Sequence, residues 1–122
     1  MIQHAALETR RADGGEAAAF WRLLGFRDVD PPPTLRDRAA WLQRGPAQVH
    51  LLWTDEPVAP PQGHVAVVVE DYDEVVARIR EAGYEVDERA RHWGAPRSFA
   101  RGPGGHRIEL MAAPPPGPPE TA

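Results

Sequence analysis

Four side chains that can bind a metal recur at matching points of a unit the chain contains twice. The first copy opens with Gln3-His4-Ala5-Ala6-Leu7 and closes with Gln48-Val49-His50-Leu51-Leu52. The second opens with Gly63-His64-Val65-Ala66-Val67 and closes with Arg107-Ile108-Glu109-Leu110-Met111. Superposing the copies sets His4 on His64 and His50 on Glu109. Two such units packed about a pseudo-twofold axis would bring the four to one point, within a chain or across a homodimer. Imidazoles with a carboxylate form an N/O donor set that suits Fe, Mn, Ni, Co or Zn as the divalent ion, and donor type alone does not separate these. Such an ion acts as a Lewis acid, holding two neighbouring oxygens of a substrate and stabilising an enolate or related oxyanion.

Strand periodicity places these groups on one face. His50 shares a face with Gln48 and Leu52, and Glu109 shares one with Arg107 and Met111, opposite Ile108 and Leu110. A polar group among partly apolar neighbours needs a partner. Taken singly, each histidine reads as a hydrogen-bonded strand residue and Glu109 as an arginine-paired carboxylate; their repetition is what points to a metal. Glu8 lies on the face of His4, as a base, as an acceptor behind the metal or as a solvent-facing strand end. Between the sixth and seventh strands, Arg91-His92-Trp93-Gly94-Ala95-Pro96-Arg97 reads as a loop at a cavity mouth. There Trp93 either stacks on a ligand or covers the sheet edge, and Arg97 either receives an anionic group or is solvated. His92 is expected to play no part in metal binding. His106, after a Gly-rich turn, reads as a surface residue, and Trp21 and Trp41 as core.

The elements that must position these residues also repeat. Residues 2–9 read as a strand, and Asp13 with Glu16 as a capping box opening a helix. Ala17, Phe20, Trp21 and Leu24 follow helical spacing, and Gly25 stands where a left-handed C-terminal residue belongs. The next strand begins at Phe26. In the second copy 64–69 is the strand, Asp71 and Glu74 repeat the capping pair, Val75, Val76, Ile79 and Ala82 supply the apolar face, and Gly83-Tyr84 repeats Gly25-Phe26. Two further strands complete each copy, about 38–43 and 47–53, then 97–101 and 106–112. The order is βαβββ twice: module one about 2–53, a proline-bearing linker 54–62, module two about 63–112, and a Pro-rich, flexible tail 113–122. This is a single α+β domain in which two tandem modules form a cupped mixed sheet with helices on the outer face.

Composition narrows the partners. A chain of 122 residues buries roughly two-thirds of its unfolded surface, so it folds without staples and any metal is functional. It has no cysteine, hence no thiolate ligand or nucleophile. All 14 basic residues are arginine, and the net charge of −4 provides no field for a nucleic-acid backbone. No apolar run approaches a membrane span and the first residues lack signal-peptide character, so a cytoplasmic location is expected.

The layout resembles the vicinal oxygen chelate superfamily, which includes glyoxalase I, extradiol dioxygenases and bleomycin-resistance proteins. The resemblance covers residues 2–112 and rests on His4, Leu23-Leu24-Gly25-Phe26, Gly63-His64-Val65-Ala66-Val67 and Gly102-Pro103-Gly104-Gly105-His106-Arg107-Ile108-Glu109-Leu110. It implies metal ligands at His4, His64 and Glu109. Where the glyoxalase-like pattern has a fourth acidic ligand this chain has His50, as fourth ligand or base, and the usual Asp before Pro103 is missing. The implied function is a metal-dependent small-molecule enzyme, of lyase or isomerase type before dioxygenase or transferase, with His50 and Glu109 catalytic and Trp93 and Arg97 binding substrate. The implied alternative is a metal-free binding protein, similar to the bleomycin-resistance proteins, that sequesters an aromatic or antibiotic ligand; a homodimer is expected under either reading.

Overall fold

The computed structural model describes residues 1–117; the last part of the expected tail, 118–122, lies outside them. Each half of the chain is a βαβββ module, and the fold is α+β. The first comprises β1 (His4–Thr9), α1 (Gly14–Leu23), β2 (Arg27–Val29), β3 (Ala39–Arg44) and β4 (Ala47–Trp53). The second comprises β5 (Val65–Val68), α2 (Tyr72–Glu81), β6 (Val86–Glu88), β7 (Arg97–Arg101) and β8 (Arg107–Met111). The strands form two four-stranded mixed sheets, ordered β1-β4-β3-β2 and β5-β8-β7-β6. In each, the first and last strands of the module pair in parallel and the others antiparallel.

The helices end alike for a physical reason. The amide of Phe26 donates to Trp21 O and that of Gly25 to Arg22 O; the amides of Tyr84 and Gly83 donate to Ile79 O and Arg80 O. This is the Schellman arrangement, and Gly25 (φ 89°) and Gly83 (φ 97°) occupy the left-handed position it requires. Phe26 packs edge-on against Trp21, centroids 5.3 Å apart, supplying the hydrophobic contact that accompanies such an end. The helix starts differ from expectation. Neither Asp13 nor Asp71 makes a side-chain cap, because neither has the extended backbone a capping residue needs (ψ 2° and 66°). Asp13 instead closes a 3₁₀ turn, Arg11–Asp13, and the Glu16 carboxylate accepts the Tyr84 hydroxyl at 3.0 Å.

One core serves both modules. Phe20, Trp21 and Leu24 of the first helical segment join Val76 and Ile79 of α2, Leu42, Val49 and Leu51 of the first sheet, and Ile108 and Leu110 of the second. The alternate strand residues, including His50 and Glu109, lie outside this cluster. Polar contacts tie the halves together as well. Arg44 at the end of β3 donates to Leu24 O (3.0 Å) and to Val68 O (2.6 Å) in the other module. His106 corrects an expectation: it is only 7 % exposed, and its Nε2 donates to Glu8 O at 2.7 Å. Gly104 and Gly105, both at positive φ, turn the chain so that this ring points inward to bridge the modules. Among the described residues no helix is long and apolar enough to cross a membrane.

Candidate functional site

β4 and β1 run in parallel with Ala6 opposite His50, so His4, two residues from Ala6, shares the face of His50. Their rings stack at 4.0 Å. On the other side Trp41, opposite His50 across the β3–β4 pair, stacks at 4.0 Å and 3°. Trp41 is therefore half-buried as a wall for His50, not a core residue; its alternation with Leu42, which does enter the core, held that information. Sandwiched in this way, His50 is 7 % exposed. Its pKa is lowered by burial first and by the neighbouring His4 second, which favours the neutral ring. Its Nε2 donates to Gln48 Oε1 (2.8 Å), and Gln48 Nε2 donates to Gln43 Oε1 (2.8 Å), leaving Nδ1 of the neutral ring as the lone-pair nitrogen. His4 Nδ1 lies 2.7 Å from Gln3 Oε1, and as its donor leaves Nε2 available.

The second module holds the other pair. β5 and β8 place Ala66 opposite Glu109, and His64, two residues before Ala66, reaches the carboxylate: Nε2 to Oε1 is 3.1 Å. His64 Nδ1 donates to Gln62 O at 2.9 Å, since a carbonyl only accepts. With that proton fixed, a neutral ring turns its Nε2 lone pair toward a carboxylate oxygen. Such an approach is attractive only with a second proton or a cation between the two atoms. Glu109 is 5 % exposed, and its other oxygen accepts from Arg97 Nε at 2.9 Å. Phe99, opposite Glu109, stands edge-on to His64 at 4.9 Å.

The remaining candidates take definite places. Arg97 is not merely solvated: besides Glu109 it donates through Nη1 to Ala90 O at 2.9 Å. Trp93 donates to Ala113 O at 3.0 Å, and the Arg97 guanidinium lies 5.7 Å from its ring. Glu8 is exposed and accepts the Val58 amide at 3.0 Å, pinning the linker to β1. His92 is exposed. Within one chain His4 and His50 thus form one pair and His64 and Glu109 another, on separate sheets. Among the described residues no three histidine or acidic side chains gather in a metal-binding group. A cleft of about 450 Å³ between the end of α1 and the start of α2 contains none of the four.

Comparison with solved structures agrees with this architecture. A glyoxalase-family protein of Bacillus anthracis superposes with a TM-score of 0.81 and 25% identity, covering 91% of this chain and 93% of that one. Lactoylglutathione lyase from Agrobacterium tumefaciens gives 0.69 at 21% identity, covering 91% and 92%. A bleomycin resistance determinant encoded on the transposon Tn5 gives 0.62 at 18%, covering 88% and 94%. No curated protein matches the sequence. The family description of the Glyoxalase/Bleomycin resistance protein/Dioxygenase superfamily matches residues 2–110, nearly all of both modules; with the duplicated βαβββ fold, this establishes that the chain belongs to that superfamily.

Proposed function

We propose that this protein is a metal-dependent small-molecule enzyme, of lyase or isomerase type, whose divalent ion is held by His64 and Glu109 with His4. The observation that carries this reading is the 3.1 Å approach of His64 Nε2 to Glu109 Oε1 on a ring whose Nδ1 already donates to Gln62. At that separation the imidazole nitrogen and the carboxylate oxygen could both serve as ligands of one divalent ion. The surroundings fit as well. Gln62 O fixes the ring, and Arg97 holds the carboxylate by the oxygen that the ion would not use, the outer support that metal ligands ordinarily have. Because the two pairs lie on separate sheets of one chain, we assign the complete set to a homodimer, first module of one copy against second module of the other.

The ion would supply Lewis-acid stabilisation to vicinal oxygens of the substrate. His50 is held neutral, stacked and oriented through Gln48, so its free nitrogen can accept a proton or serve as a fourth ligand. Calorimetric titration with Ni(II), Zn(II), Mn(II) and anaerobic Fe(II) tests the assignment. Native protein should bind at least one of these; His64→Ala and Glu109→Ala should weaken binding sharply, and His92→Ala should not change it. His50→Ala weakens affinity if His50 is a ligand, and leaves metal bound with turnover reduced if it is a base. Should native protein bind none of the ions more tightly than His64→Ala, the metal reading is wrong. His64 would then be an imidazolium paired with Glu109 in a metal-free ligand-sequestering protein.

A further inference from the structure

The face of the second sheet that carries Glu109 also concentrates positive charge. Arg101 and Arg107 stand directly opposite each other on β7 and β8. Like charges so placed destabilise an antiparallel pair, and neither guanidinium takes part in an ion pair among the described residues. Arg107 instead lies over the Phe99 ring, 3.9 Å from its centroid, with Arg89 at 5.5 Å from the same ring. Arg101 donates to Gly105 O at 3.2 Å, which leaves most of its N–H groups without a partner among the described residues. These residues line a concavity of about 280 Å³ together with Gln62, Glu85 and Asp87. The two acids make no ion pair with the arginines. Gln62 is also the residue that orients His64, so the concavity adjoins the His64–Glu109 pair.

We propose that this concavity binds an oxoanion of the substrate, a carboxylate or phosphoryl group, between Arg101 and Arg107. The inference rests on the metal-site reading above, and it specifies the substrate class of that site. Guanidinium groups suit oxoanions through paired, charge-assisted N–H donors, and an anion there relieves the cross-strand repulsion. Arg107 and Glu109 are two residues apart on one strand, a spacing of roughly 7 Å. The substrate is therefore a small organic anion whose charged group lies about that far from the oxygens presented to His64 and Glu109. A neutral analogue of the same shape leaves the two guanidiniums uncompensated and binds more weakly.

The test titrates chelator-treated, metal-free protein with inorganic phosphate and with phenylphosphonate, following arginine Nε–H resonances by heteronuclear NMR. Saturable shifts should appear at Arg101 and Arg107 with either anion. Arg107→Glu should raise the dissociation constant about tenfold or more, whereas Arg36→Glu, an exposed arginine elsewhere, should not. If Arg107→Glu perturbs folding, the Arg101→Gln/Arg107→Gln pair serves instead, checked by its melting temperature. Absence of saturation, shifts spread over all arginines, or unchanged affinity in the charge-altered variants overturns the proposal. Parallel Ni(II) titration separates it from the metal reading. Phosphonate binding without Ni(II) binding leaves the anion pocket standing and removes the metal; Ni(II) binding without phosphonate binding does the reverse.

Discussion

At the scale of single residues, Glu109 is the side chain whose surroundings are most demanding. It is a buried carboxylate whose oxygens face His64 and Arg97. Removing one member of a buried pair strands the other charge, whereas replacing both with apolar groups is close to neutral. Arg97→Met alone should therefore destabilise the fold by about 3 to 5 kcal/mol, and the Arg97→Met/Glu109→Leu double variant should recover most of it in urea unfolding. A double variant as unstable as the single one would show that Glu109 has another essential partner. The sequence exposed part of this site and hid the rest for a definable reason. His64 and Glu109 were visible through the repeat, which needs only spacing. The Arg97–Glu109 bond depends on the register of β7 against β8, and the Trp41–His50 stack on that of β3 against β4; register is a property of two strands, which one-dimensional spacing does not contain. His106 went astray because two glycines suggest an exposed turn, while here their positive φ values aim the ring inward.

At the scale of elements, the helix ends show which local signals were reliable. Gly25 and Gly83 each occupy a backbone conformation that side chains resist, so the sequence signal and the geometry have the same cause. The Asp-x-x-Glu patterns did not form capping boxes because an N-cap depends on backbone angles that the preceding turn controls. Asp71→Ala should accordingly change stability by less than about 0.5 kcal/mol, as for an uncommitted surface position. Gly14 is the sensitive residue of the same region: a β-carbon there would lie 2.6 Å from the Trp53 ring. Gly14→Ala should cost about 1 to 3 kcal/mol through overpacking, and Gly15→Ala, where a β-carbon meets nothing, should not. Chemical denaturation of the three variants checks the ranking; a harmless Gly14→Ala would mean that Trp53 can swing aside.

At the scale of the whole molecule, the modules are joined by contacts that no repeat could reveal, because they cross between copies. Tyr84 is one. It packs edge-on against Phe20 at 5.2 Å and donates its hydroxyl to Glu16. Burial, that hydrogen bond and the Glu16 charge push its pKa from 10.0 up to about 12. The folded protein thus holds this proton more tightly than the unfolded chain. The associated stability is complete below pH 10 and is lost as pH rises through about 12. Tyr84→Phe should flatten this alkaline segment of the stability profile; an unchanged profile would place the titration elsewhere. The proline-rich tail is a contrasting case. Trp93 bonds Ala113 O and residues 114–117 are exposed, so truncation after Ala113 should leave the melting temperature nearly unchanged, and a loss of several degrees would indicate docking on a partner subunit.

The matched helix ends have a kinetic consequence. Phe26 and Tyr84 place one amide in each module into the same six-to-one hydrogen bond, with N–O distances of 3.2 Å in both. These two protons are a matched pair of clocks for solvent exchange. Because both modules share one core, opening either helix end fully should require disrupting the other, and the two amides should exchange in deuterated water with closely similar opening free energies that shift together in denaturant. A persistent gap of several kcal/mol between them would mean that one half of the duplicated fold opens as a unit while the other stays closed.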